Sequence, residues 1–373
     1  MAGIYIHVPF CKQKYSYCDF ASFPKEIGKA EAYFACLYKE LKARSFELKD
    51  KKFNTVYFGG GTPSFVEPKY IYGALKQVLT CFNVDKNAEI TLEVNPGTID
   101  EQKLKVYKNA GINRFSVGLQ TANDNTLYSI NRIHTVEDFK KAIELLKDYN
   151  VSVDVMIGLP NETVSDVQNT LDLATSYPQV KHVSVYALKA EEGTPMFTRY
   201  LNGELLSDDE VADIYDFVVK YLYGKGYERY EVSNFAKSGY ESKHNKNYWA
   251  RGEYIGVGVG ASSFINDRRF TNTESIDEYV HAVLNGKVAE VFSEEVTGDD
   301  AKAEYAMLNL RTSKGISFSE YRSIFGTEFI VDFSKAIKGN SNYLDKTADG
   351  LKIKDEYLYV QNSILVDFIS EKQ

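Results

Sequence analysis

Six short strand-like runs recur between residue 3 and about residue 190, and where their alternation is clear one face is polar. The runs at 3–8, 54–59, 89–95, 113–120, 151–157 and 181–187 alternate with amphipathic stretches near 28–48, 68–80, 100–109, 136–149 and 163–176. Strand–helix alternation of this kind implies a parallel sheet flanked by helices. A parallel strand covered on both faces reads as nearly continuous Val, Ile and Leu. Here Tyr5 and His7 stand against Ile4, Ile6 and Val8, and Thr91, Glu93 and Asn95 against Ile90, Leu92 and Val94. Arg114, Ser116, Gly118 and Gln120 oppose Phe115, Val117 and Leu119. Ser152 and Asp154 oppose Val151, Val153 and Val155, and His182 and Ser184 oppose Val183 and Val185. Successive side chains point to opposite faces, so helices cover the apolar faces and the polar ones converge. Buried groups of that kind need partners or a polar ligand. The pattern predicts an α/β fold with a partial six-stranded barrel around a polar cofactor; a single solvated sheet face is the plainer alternative.

The rhythm changes near residue 205. A helix-like run at 207–224 leads to "YERYEVSNFA", a loop ending in "HNKNYW", and the glycine-rich "GEYIGVGVGASSF" at 252–264, which is expected to close the first unit. Three segments follow: 1–200 for the barrel, 201–290 for the closing segment, and 291–373 for a small winged-helix-like α+β module. Residues 296–373 carry 10 Lys/Arg against 12 Asp/Glu, and the whole chain has a net charge of −8. That balance argues against a phosphate-tracking surface and so against nucleic acid as a partner.

No apolar run approaches the roughly 20 residues of a membrane span, and the first residues carry no basic leader segment. The expected location is the cytoplasm, with at most peripheral membrane contact. Four cysteines in 373 residues do not make a disulfide framework. Cys36 and Cys81 fall in helix-like stretches and read as inert thiols. Cys11 and Cys18 instead flank Tyr15 in a loop after the first strand, like a metal site with one thiolate missing. The second strand runs into "GGGTPS" at 59–64. Its glycines suit either a backbone nest for a ligand head group or a tight turn.

In this order the cysteine loop, GGGTP, Glu93-Val-Asn95-Pro96 and Asp154 resemble the radical S-adenosylmethionine (radical SAM) enzymes. More narrowly, "IYIHVPFC", "YFGGGTPS", "LEVNPGT", "GINRFSVGLQ", "INRIHT", "VDVMIGLP" and "VSVYALKAEEGTP" are similar to the oxygen-independent coproporphyrinogen III oxidase group. Within it, His244-Asn-Lys-Asn-Tyr-Trp249 looks like the HNxxYW signature of the HemW branch of heme chaperones. The dehydrogenase branch has an extra N-terminal segment and a further cysteine where this chain has Phe20.

The resemblance implies S-adenosylmethionine, a [4Fe–4S] cluster and heme as cofactors, and heme-accepting proteins as partners; a homodimer is allowed. It implies that Gly60, Gly61 and Thr62 cradle the methionine amino end, with Tyr5 and Tyr17 beside the cluster loop. Glu93, Gln120, Arg132 and Asp154 would bind the polar groups of S-adenosylmethionine, Arg132 taking the carboxylate and Asp154 the ribose hydroxyls. His244 would contact heme, where an imidazole can ligate iron; the residues alone allow a capped aromatic cluster as readily. An enzyme acting on a porphyrinogen and a scaffold without chemistry are the alternatives to a chaperone.

Two departures stand out. The family's cluster loop reads C-x3-C-x2-C, and here the ligands would be Cys11, Tyr15 and Cys18. A phenol is a poor replacement for a thiolate unless a metal lowers its pKa. Loss of the cluster, an altered cluster on two cysteines with Tyr15, and an isolated change in an active member all remain open. In "GVGVGASSF" the family's usual Pro and His are Val259 and Ser262, which removes one imidazole from the candidate heme region.

Overall fold

The computed structural model describes residues 2–372. Six parallel strands form its centre: β1 (Ala2–Val8), β2 (Lys52–Gly60), β3 (Asn83–Val94), β4 (Arg114–Gln120), β5 (Asn150–Ile157) and β6 (Val180–Ala187). They lie side by side in chain order. Helices α1 (Ala30–Glu47), α2 (Pro68–Cys81), α3 (Glu101–Ala110), the short α4 (Asp124–Ser129), α5 (Val136–Leu145) and α6 (Val164–Thr175) fall between them. This is the α/β partial barrel expected from the alternation. Each strand matches its predicted run within a few residues except β3, which begins six residues early.

The apolar face of each strand packs outward on the helices. Ile4, Ile6 and Val8 join Val56, Phe58, Leu92, Phe115, Val153 and Val183 in one buried cluster with Leu37, Leu75 and Phe139 from the helices. Helix ends are set by local chemistry: Thr135 and Thr163 form capping boxes with Asp138 and Asp166.

After α7 (Pro195–Leu201) and α8 (Asp208–Gly224), the short strands β7 (Glu228–Arg229) and β8 (Asn234–Ala236) pair antiparallel beyond β6. Helix α9 (Lys243–Trp249) carries the HNKNYW signature. The glycine-rich stretch supplies β9 (Tyr254–Val257), parallel to β1, and β10 (Ser262–Ile265). With β11 (Arg268–Asn272), α10 (Ile276–Leu284) and β12 (Glu290–Glu295) following, the sheet reaches twelve strands. The stretch expected to close the first unit therefore extends the sheet past β1.

Beyond α11 (Gly298–Asn309) lies a second buried cluster, built on Tyr305, Tyr321, Phe329, Phe333 and Phe368, with a three-stranded sheet of its own. Its last strand is Gly350–Ile353; a helical turn and the helix Asn362–Ser370 follow. No helix among the described residues is long and apolar enough to cross a membrane.

Candidate functional site

The chain leaves β1 at Val8 and crosses the C-terminal ends of the strands, where parallel α/β folds place their ligands. This loop is pinned from below. Gly61 N–H donates to the Val8 carbonyl (2.8 Å), Thr62 N–H to the Phe10 carbonyl (2.8 Å), and Phe23 N–H to the Pro9 carbonyl (2.7 Å). His7 bridges Tyr5 Oη (3.1 Å) and the Ala21 carbonyl (2.8 Å), and burial lowers its pKa to about 4, keeping it neutral. Gly60 has φ +109°, and a Cβ there would stand 2.5 Å from the His7 ring. These glycines serve close packing under the loop. Of the two readings open for GGGTPS, the structure shows the tight turn: the Gly61 and Thr62 amides bond the loop backbone, and the Gly60 amide faces Glu93. The Gly61 carbonyl accepts no hydrogen bond within the described residues, so what this turn offers a ligand is an acceptor.

Above the barrel interior lies a cavity of about 370 Å³, and eleven of the thirteen predicted site residues line it. Cys11, Tyr15, Tyr17 and Cys18 come from the loop, Gly60, Gly61 and Thr62 from the end of β2, and Glu93, Gln120, Arg132 and Asp154 from the strand ends and the turn after α4. Burial pushes the Glu93 carboxyl up to about 7, although Tyr57 Oη donates to it at 2.9 Å. Asp154 is raised by burial too, and accepts from Ser116 Oγ at 3.1 Å. Gln120 is held at φ +70°, a sparsely populated conformation for a non-glycine residue. Gly118 leaves the room it needs: a Cβ there would lie 2.8 Å from Gln120 Nε2 and 3.5 Å from Arg132.

The loop itself departs from a cluster site. Arg132 Nε and Nη2 donate to Tyr17 Oη at 3.0 and 2.6 Å, and its guanidinium lies 3.8 Å over the Tyr15 ring. Tyr15 also stacks on Tyr17, with centroids 6.0 Å apart, and accepts at its hydroxyl from Asn95 Nδ2. Burial raises the Tyr15 phenol, which is therefore neutral and a weak donor to iron. Cys11 is buried with its thiol raised, and Cys18 Sγ sits 3.8 Å from Ser22 Oγ. Among the described residues, no group of three His, Cys, Asp or Glu could hold a metal ion. Cys36 packs on α1 against the Val280 carbonyl, and Cys81 ends α2 beside Gln77; neither lines the cavity. Two thiols and a neutral, engaged phenol do not fit a cubane held by three thiolates. The polar cavity beside them does fit S-adenosylmethionine, with buried carboxylates for its cationic and hydroxyl groups.

Tyr5 and His244 lie elsewhere. His244 is at the opposite end of the strands, where a Cβ on Gly3 would meet its ring at 3.2 Å. Gly3 and Val8 are separated along β1 by roughly 17 Å at about 3.3 Å per residue. The imidazole bonds Thr55 Oγ1 (2.8 Å) and Tyr248 Oη (2.8 Å), stacks on Tyr57 at 5.0 Å, and is held neutral with a pKa of about 3 by burial. Both ring nitrogens are engaged, so in this arrangement His244 is not an available iron ligand. It plugs the barrel floor, and its interaction with Tyr248 fixes α9.

Tyr248 in turn forms the wall of a second cavity of about 560 Å³, with Tyr5, Phe20, Tyr254, Phe264, Arg251 and Arg269. Tyr248 and Tyr254 meet edge to face at 4.6 Å. Asp19, Phe20, Gly60 and Glu93 line both cavities, so a shared wall separates them. Ser262 lines this cavity and bonds Thr271 at 2.9 Å, while Val259 is fully buried. Sequence reasoning missed Tyr57, Tyr254 and Phe264. Alternation along β2 would have found Tyr57; the other two depend on how β9 and β10 dock.

The sequence pattern of the radical SAM superfamily matches residues 5–174. Heme chaperone HemW of Lactococcus lactis is 32% identical over 98% of this chain and 96% of its own length. Heme chaperone HemW of Haemophilus influenzae is 33% identical over 99% and 98%. The chain belongs to the HemW family. The HemW protein of Escherichia coli, 31% identical, aligns over 99% of the chain and 98% of its own length. Among solved structures, Escherichia coli coproporphyrinogen III oxidase (HemN), a radical SAM enzyme, superposes with a TM-score of 0.86 at 21% identity, covering 99% of this chain and 90% of that one. That likeness establishes the fold. The HemW relatives match across α9 and the C-terminal module, well beyond the superfamily segment.

Proposed function

We propose that this protein is a heme chaperone of the HemW type: it binds heme in the aromatic cavity and passes it to acceptor proteins. The observation that carries this reading is the cavity itself, whose aromatic lining, Tyr248, Tyr254 and Phe264, is built by α9 and the strands after it. A porphyrin face packs on such rings, while Arg251 and Arg269, both paired with Glu304, hold the cavity wall in place. The curated relatives named heme chaperones align over nearly the whole chain, which supports the same conclusion.

S-adenosylmethionine, in this proposal, occupies the neighbouring interior cavity. When bound it supplies a sulfonium and a methionine ammonium–carboxylate pair. Glu93 and the Gly61 carbonyl accept from the ammonium, Asp154 from the ribose hydroxyls, and Gln120 holds the rim. Arg132 retains one nitrogen, Nη1, for a carboxylate, since Tyr17 takes the others. The loop with Tyr15 carries no [4Fe–4S] cluster, so the cofactor stays intact and serves as a bound ligand. A porphyrinogen-oxidising enzyme is disfavoured for the same reason. The setting we propose is cytoplasmic.

Heme titration of wild type, Tyr248→Ala and His244→Ala tests the proposal. Tyr248→Ala weakens heme at least tenfold. His244→Ala loosens α9 and weakens binding less, without changing the absorption bands that report axial ligation. Unchanged affinity in Tyr248→Ala removes the aromatic cavity as the heme site.

A further inference from the structure

Two arginines are buried outright, and they are treated differently by the fold. Arg44, 5% exposed, is met by Glu290 at 2.7 Å, Glu47 at 3.3 Å and Glu40 at 4.0 Å. Arg114, 2% exposed at the start of β4, has no carboxylate within ion-pair distance and makes no side-chain hydrogen bond to any described residue. Its Nε is shut off from solvent and unpartnered. A desolvated guanidinium left alone is strongly unfavourable.

The neighbouring rung shows the same deficit. Thr91 on β3 pairs in register with Arg114 and shares its interior face. It is fully buried, and its Oγ1 is also without a partner. Elsewhere on the barrel floor Thr55 bonds His244 at 2.8 Å, Ser152 bonds His182 at 2.7 Å, and His182 bonds Tyr230 at 2.8 Å, but Asn150, paired in register with Arg114 on β5, also has an unpartnered Oδ1. Around Arg114 the unmet groups are its own Nε, Thr91 Oγ1 and Asn150 Oδ1, and Arg114 lines the interior cavity there.

We infer that Arg114 and Thr91 form an anion subsite on the cavity floor that takes a carboxylate. A guanidinium fork matches a planar carboxylate, and Thr91, buried behind the cavity wall, positions Arg114. Asp154 and Glu93 higher in the same cavity disfavour a dianion such as phosphate. The carboxylate comes either from the methionine end of S-adenosylmethionine, which rests on the proposal above for the cofactor but moves its carboxylate from Arg132 to Arg114, or from a second small ligand, which does not.

Acetate is the probe, titrated calorimetrically and by thermal melting into the full-length protein at constant ionic strength. Wild type shows saturable binding and a rising melting temperature, as a ligand selective for the folded state requires. Arg114→Met loses the response, and Arg114→Lys keeps it with roughly tenfold lower affinity, a lysine lacking the fork. Thr91→Val, a milder change, weakens acetate several-fold and carries the test if Arg114→Met fails to fold. No acetate binding in wild type, or equal binding in wild type and Thr91→Val, overturns the subsite. S-adenosylmethionine displacing acetate where methylthioadenosine, which lacks a carboxylate, does not assigns the site to the methionine end; acetate bound undisturbed beside S-adenosylmethionine assigns it to a second ligand.

Discussion

Tyr15 sits where the family places its middle cluster cysteine, and the structure gives that substitution a consequence. Its ring lies between Arg132 and Tyr17, and its hydroxyl meets Asn95, so the phenol is built into the cavity wall. Restoring the thiolate with Tyr15→Cys brings three sulfurs into one loop. Anaerobic reconstitution of that variant is expected to give about four iron and four sulfide per chain, read by elemental analysis and visible absorption. A colourless Tyr15→Cys protein would mean the pocket has changed beyond this one residue. Glu93 gives a pH signature. Its folded pKa of about 7 lies above the ordinary 4.5, so the empty protein favours the protonated acid. That preference stabilises the fold below pH 4.5 and is lost as pH rises through 7. A cationic ligand requires the carboxylate, so S-adenosylmethionine affinity rises roughly tenfold between pH 6 and 8 and flattens in Glu93→Gln, measured by calorimetry. Glu93, Gln120 and Asp154 were legible as residues because strand alternation alone puts them inside. Cys11, Tyr15 and Cys18 were legible only by spacing, which says nothing of what Tyr15 touches.

At the scale of elements, two glycine positions hold the site together. Gly60 turns the end of β2 beneath the loop against His7, and Gly3 lets α9 approach the floor. Gly60→Ala forces a left-handed backbone and a clash with a buried ring. It is expected to cost about 2–3 kcal/mol, read by urea denaturation, whereas Gly28→Ala, with open space around it, is near neutral. Equal stability of the two variants would contradict the pinning of the loop by His7. The strand–helix order was readable from periodicity because parallel pairing imposes it. His244 was misplaced for a physical reason: HNKNYW has the residues of a ligand motif, but α9 packs across the N-terminal ends of β1 and β2, and Thr55 with Tyr248 uses both nitrogens. Only the docking of the helix reveals that.

For the whole molecule, the C-terminal module meets the barrel at two places: Arg311 to Ser313 bond the backbone of 229–232, and Glu304 is a carboxylate shared by two arginines of the sheet edge. Glu304 of α11 accepts from Arg251 at 2.8 Å and from Arg269, and Arg251 also donates to the Val296 carbonyl at 2.7 Å. Both arginines line the aromatic cavity, so docking of the module and the shape of that cavity are linked. Arg251→Ala leaves a largely buried carboxylate short of a partner. It is expected to cost about 2–3 kcal/mol and to weaken heme binding together with stability, seen in parallel denaturation and heme titrations. Composition argued against a DNA-binding role for this module, yet no pattern in one sequence tells which barrel edge it leans on. The central claim is a heme-binding HemW protein whose own loop holds no cluster. Its most direct test is one anaerobically reconstituted wild-type preparation, assayed for iron, sulfide, 5′-deoxyadenosine formation and heme binding. Stoichiometric heme, with iron and sulfide near zero before heme is added and no 5′-deoxyadenosine, is the predicted result; about four iron and four sulfide per chain with turnover of S-adenosylmethionine would contradict it.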